Sequence, residues 1–153
     1  MSILPIVMHP DPVLPVVYDT VGVDEDMQAL SADMLETMYA ANGRGLAAPQ
    51  VGETVRMFVF DATWKEGVSA PYVCINPVIQ PVGDTVRSVE EQCLSIPDQP
   101  VLVERPAQVE MTWFDAAGQR QKREFTGDEA VVIQHEADHL EGRLVLDYLE
   151  DVQ

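Results

Sequence analysis

Between positions 25 and 41 the apolar residues Met27, Leu30, Met34 and Met38 fall three and four apart, the spacing that gathers them on one helical face. Asp24 and Asp26 stand at the start and Asn42-Gly43 at the end, so an α-helix is predicted over 25–41 with its methionine stripe turned to the core. The pattern then changes to that of strands. Segments 56–61, 72–76 and 78–82 are short apolar runs separated by breaks at Asn76-Pro77 and Val82-Gly83-Asp84, and 85–89 is a further candidate. Strands are also predicted over 100–104 and 108–114. In the second, Val109, Met111 and Trp113 alternate with Gln108, Glu110 and Thr112, which buries one face. Ala116-Ala117-Gly118-Gln119 turns the chain into a hairpin strand over 121–125. Helical spacing returns in Ile133, Ala137, Leu140 and Leu144. Thr126-x-x-Glu129 reads as a capping box, Asp128 and Glu129 suit the positive end of the dipole, and Gly142 can close the helix.

Hairpin-linked strands without regular βαβ alternation predict an α+β class: mainly antiparallel sheets packed around a C-terminal helix, with a further N-terminal helix. The 153 residues, 46% hydrophobic, suffice for one core, so 1–153 is expected to be a single domain. Residues 3–23 are Pro-rich and irregular and are expected to wrap over it. The stretch 43–52 carries Gly43, Gly45 and Gly52, is predicted not to be helical, and lets another backbone approach closely. As a phosphate loop it fails, because no Lys-Ser/Thr follows.

Charge narrows the function. With 26 acidic against 9 basic residues and a formal net charge of −17, the chain is ill suited to nucleic acid or an anionic membrane, where phosphate neutralisation drives binding. The first ten residues lack a basic leader and no apolar run reaches membrane length, so a cytoplasmic location is expected. In that reducing setting Cys74 and Cys93 are free thiols or metal thiolates. Cys74 lies in an apolar strand and reads as core.

The chemistry concentrates in Gln134-His135-Glu136-Ala137-Asp138-His139-Leu140-Glu141-Gly142, which holds two of the three histidines. Four residues apart on a helix, His135 and His139 can offer imidazoles to one ion, and Glu136 can take a proton from water held there. The third histidine, His9, has no partner at metal spacing. A catalytic ion needs a third protein ligand. Cys93, between two strand regions where a loop can present it, is a candidate; on that string alone a buried core thiol is the competing reading.

Three segments in order, Gly43-x-Gly45-Leu46-Ala47-Ala48-Pro49-Gln50, Glu91-Gln92-Cys93-Leu94-Ser95 and Gln134-His135-Glu136-x-Asp138-His139-Leu140-x-Gly142, resemble the three motifs of the peptide deformylase family. The resemblance implies hydrolytic removal of the formyl group from N-formylmethionyl peptides or nascent chains, with metal-bound water as nucleophile. It implies Cys93, His135 and His139 as ligands of one ferrous ion, replaceable by zinc, nickel or cobalt. Glu136 would be the acid/base, and Gln50 with the Leu94 backbone amide would hold the formyl oxygen. Peptide substrate would lie beside Gly43, Arg44, Gly45 and Leu46 as an added strand. Asp138 is expected to pair with Arg105 and so fix the helix or an imidazole.

Two positions depart from the family pattern. Gln92 stands where the family has glycine, which predicts backbone strain or a narrower cleft. Arg44 replaces an apolar residue beside the methionine pocket and is expected to snorkel outward or to alter preference. These motivate an alternative: a deformylase-like paralogue with another N-acyl substrate, or one that binds metal or peptide without turnover. A metalloprotease is disfavoured by the thiolate and Gln50. The sequence ends without the basic helix that some members place on the ribosome, so no such docking is expected, and a monomer is.

Overall fold

The computed structural model describes residues 3–9, 11, 12, 14 and 24–148. The element order is α1 (Glu25–Ala40), β1 (Gly45–Ala47), β2 (Met57–Phe60), β3 (Tyr72–Pro81), β4 (Val86–Cys93), β5 (Ile96–Pro106), β6 (Gln108–Phe114), β7 (Arg120–Thr126) and α2 (Gly127–Leu140). One antiparallel sheet runs β1-β2-β3-β6-β7, and β4 and β5 form a separate antiparallel hairpin. The α+β expectation is met.

Alternation along β2 explains the layering. Phe58 and Phe60 point to one side with Met111, Phe125, Ile133 and Leu140, under α2; Met57 and Val59 point to the other with Met27, Met34 and Met38, under α1. Each such fully buried side chain contributes about 1.5–3 kcal/mol of transfer free energy. A third cluster joins Cys93, Val101 and Val103 of the hairpin to Leu144 and Val145 beyond α2. The metal-motif helix therefore lies between the large sheet and the hairpin.

Asp24 caps α1 by accepting from the Met27 amide at 2.9 Å, and Asn42, with φ of 61°, turns the chain out of it. Several local expectations need correction. Segments 72–76 and 78–82 are one strand, because Asn76 adopts φ of 51° and the ladder shifts register between Ile75 and Val78, so a bulge takes up the Asn-Pro break. The glycine-rich stretch is not wholly irregular: after β1 it makes a 3-10 turn over Ala48–Val51, with Pro49 near its start. Thr126 is the N-cap of α2, yet its side chain makes no capping bond. Cys93 ends a strand rather than sitting in a loop: it pairs with Ile96 across a two-residue turn.

Of the N-terminal wrap, Leu4 donates its amide to Thr37 Oγ1 at 2.8 Å, Val7 to the Gln50 carbonyl at 2.6 Å and His9 to the Ser95 carbonyl at 2.9 Å. Residues 10, 13 and 15–23, where the wrap is expected to continue, and 149–153 lie outside the described residues. No helix among the described residues is long and apolar enough to cross a membrane.

Candidate metal centre

His135 and His139 are buried on successive turns of α2, with ring centroids 5.4 Å apart. The β4–β5 hairpin brings Cys93 against them, its Sγ 3.4 Å from His139 Nε2. One ligand atom from each of the three lies within 4.8 Å of the others, and all three residues are buried. His9 is not part of the cluster, and Cys74 sits in the core, where burial pushes its thiol well above the ordinary value.

The environment suits a cation. Burial alone would lower His135, but Glu136, Cys93 and Glu91 overcome it and push the imidazole up to about 10. Burial and the neighbouring His135 push His139 the other way, to about 3, so its ring stays neutral with a lone pair to give. Glu91 Oε1 lies 2.9 Å from His135 Nδ1; a bound cation would take the place of the Nε2 proton, and an Nδ1–H donated to Glu91 would then leave Nε2 as the coordinating atom. One sulfur and two imidazoles are a donor set for a borderline divalent ion.

Glu136 lies beside this cluster with Oε2 4.0 Å from His135 Nε2, while its Oε1 is buried without a hydrogen-bond partner. Burial raises the carboxyl, His135 opposes, and the net effect is a rise to about 7, suited to giving and taking a proton near neutrality. Gln50, from the 3-10 turn, is anchored through Oε1 to the Ala47 amide at 2.9 Å and extends Nε2 to Cys93 Sγ at 3.4 Å and Ser95 Oγ at 3.2 Å. Leu94 occupies the turn beside Cys93. These groups open on a cleft of about 520 Å³ that Gly43, Arg44 and Gly45 also line. A Cβ on Gly45 would stand 2.6 Å from Glu136 Oε2, so this position brings backbone directly against the carboxylate.

The polypeptide deformylase family model covers residues 3–153. The chain belongs to that family. It is 44% identical over 154 residues to a peptide deformylase of Brucella suis biovar 1, covering 100% of this chain and 88% of that one. Its fold is similar to the crystal structure of the Thermotoga maritima peptide deformylase, with a TM-score of 0.89, 36% identity and coverage of 96% and 97% of the two chains. The peptide deformylase of Ehrlichia chaffeensis in complex with actinonin gives a TM-score of 0.91 at 37% identity, over 97% of this chain and 89% of that one.

The departures from the family pattern are placed by the fold. Gln92 is exposed on β4 where the ladder to β5 shifts register, and Asn42 and Asn76, not Gln92, are the described non-glycine residues with positive φ. The expected strain at Gln92 is therefore absent, though its side chain lines the cleft. Arg44 snorkels: its Nη2 pairs with Glu66 at 2.8 Å, and Trp64 Nε1 donates to the carbonyl of the preceding Gly43 at 2.9 Å.

Arg105 pairs with Asp138 at 2.9 Å, yet the carboxylate that touches an imidazole is Glu91, not Asp138. Glu91 lies inside the second motif, but the sequence by itself assigns it no role. The signal was present, since residues two apart on a strand face the same side and Glu91 stands two before Cys93. Ser95 and Tyr148 had no comparable signal.

Proposed function

We infer that this chain is a metallo-amidohydrolase that removes the formyl group from N-formylmethionyl peptides and nascent chains. Cys93, His135 and His139 hold one divalent ion, ferrous iron in the cell, which zinc, nickel or cobalt can replace. The observation that carries this reading is the convergence of that donor set with an unpartnered Glu136 oxygen on one cleft.

When bound, the ion supplies a Lewis acid that makes water nucleophilic at neutral pH. Glu136 takes the proton of the attacking water on its carboxylate and returns it to the departing amine, which could not leave as an anion. Gln50 Nε2 and the Leu94 amide donate to the formyl oxygen as it gains charge; Ala47 and Ser95 hold Gln50 in place, and the Nε2 hydrogen that faces Cys93 Sγ is the one turned to the formyl oxygen. The substrate backbone lies along Gly43–Leu46, on the side of edge strand β1 away from β2. Asp138 acts through Arg105 on the ligand shell. Residues 1–153 act as one catalytic domain, as a cytoplasmic monomer.

The test is an anaerobic assay of the iron-loaded protein on formyl-Met-Ala beside Glu136→Ala. Turnover by the parent with none by a variant that still holds metal supports the assignment. Equal rates reject Glu136 as proton carrier, and a parent that cleaves acetyl-Met but not formyl-Met rejects the substrate.

A further inference from the structure

Arg105 is gripped from both sides. Its Nε and Nη2 donate to Glu91 Oε2 and Oε1 at 2.6 and 2.8 Å, a bidentate pair that sets the plane of the carboxylate. On the other side Nη1 donates to Asp138 Oδ2 at 2.9 Å and to the Tyr148 hydroxyl at 3.2 Å, and that hydroxyl donates to the same Asp138 oxygen at 2.6 Å. Nη1, Oδ2 and the phenol oxygen thus close a triangle. The Tyr148 ring also contacts two guanidinium carbons, Arg105 Cζ at 5.1 Å and Arg143 Cζ at 4.1 Å from its centroid. Because a guanidinium is planar and rigid, holding Nη1 holds the two nitrogens that grip Glu91. Glu91 Oε1 is the atom that meets His135 Nδ1.

We propose that Tyr148 is a positioning residue for metal retention: its hydroxyl locks Arg105, Arg105 orients Glu91, and Glu91 fixes the ring of His135. Folding of the segment beyond α2, through Leu144 and Val145, is thereby coupled to the grip on the ion. This rests on the ligand assignment above. Burial and the Asp138 hydrogen bond push the phenol up to about 12, so it remains a donor at neutral pH.

The experiment uses the full chain loaded with Co2+ and compares the parent, Tyr148→Phe and Arg143→Gln. Phenylalanine keeps the ring and removes the hydroxyl, whereas Arg143→Gln disturbs the ring's stacking and spares the hydroxyl. Tyr148→Phe is expected to release Co2+ to a chelator about three- to tenfold faster, below the effect typical of groups touching a ligand because two residues intervene. Its visible Co2+ absorption bands are expected to shift, and Arg143→Gln to match the parent in both. Parent-like release and spectra for Tyr148→Phe overturn the proposal, as does equal acceleration in both variants, which reduces the effect to packing. A parent that binds Co2+ and deformylates while Tyr148→Phe matches it rejects the relay alone; a parent that takes up no Co2+ rejects the ligand assignment as well.

Discussion

Glu91 Oε1 lies 2.9 Å from His135 Nδ1 and also accepts from Arg105 Nη2 at 2.8 Å, so one carboxylate oxygen joins the His135 imidazole to a buried guanidinium. Burial would raise this carboxyl, but Arg105 and His135 hold it below the usual carboxylate range. Glu91→Gln keeps an acceptor for the imidazole and removes the charge. Metal affinity is expected to fall about 10- to 100-fold, measured by chelator competition. The stability cost is expected to be smaller than the roughly 3–5 kcal/mol of an orphaned buried charge. Asp138 still faces the guanidinium, and denaturant unfolding of the apoprotein measures the difference. An unchanged metal affinity would mean that His135 is oriented by something else.

The two cleft glycines should not be equivalent. At Gly45 a Cβ meets Glu136 Oε2 at 2.6 Å and Val132 Cγ1 at 2.9 Å, both on packed α2, whereas at Gly43 it meets the flexible end of Leu94 at 2.7 Å. Gly45→Ala is expected to lower kcat/KM about 100-fold by displacing Glu136, the proposed acid/base, since misplacement by about 1 Å costs that much. Gly43→Ala should lose far less, because Leu94 can rotate. Steady-state kinetics on formyl-Met-Ala compare them, and equal losses would contradict this difference in yielding.

Gln92 is exposed and without positive φ, so restoring the family's glycine relieves nothing. Gln92→Gly is expected to lower stability by about 0.5–1 kcal/mol through unfolded-state entropy. Turnover of formyl-Met-Ala should change by no more than about twofold, the range of an exposed substitution. A large rise in kcat would show that the side chain obstructs the cleft.

Tyr39 donates to Asp61 Oδ2 at 2.6 Å, and burial followed by that hydrogen bond pushes its phenol from 10.0 up to about 12. The folded state holds this proton more tightly than the unfolded one. The contribution is full below pH 10 and fades as pH rises toward about 12. Thermal melts of the apoprotein should show Tm falling over that interval, with a shallower fall in Tyr39→Phe. Parallel slopes would remove Tyr39 from the alkaline transition.

Helical spacing sufficed to locate α1, α2 and the His135–His139 pair, because those relationships span a turn and depend on the 3.6-residue repeat alone. Strand alternation likewise marked Val109, Met111 and Trp113 as inward-facing, and all three are buried. Strand limits were less legible: Asn76-Pro77 looks like an end because those residues resist a regular ladder, yet β3 continues past them along β6 and takes up the extra residue as a bulge. Joining Cys93 to the helix required recognising three separated motifs together.

Long-range placement belongs to the folded chain. Cys93 reaches His139 across 46 residues and Gln50 reaches Cys93 across 43, distances over which no local periodicity operates. Whether Glu91 or Asp138 would touch the imidazole turned on how the β4–β5 hairpin docks against α2, a matter of packing between elements. Local backbone sterics write the helices and strands into the order of residues; which side chains then share one buried space follows only when sheet, hairpin and helix exclude water together.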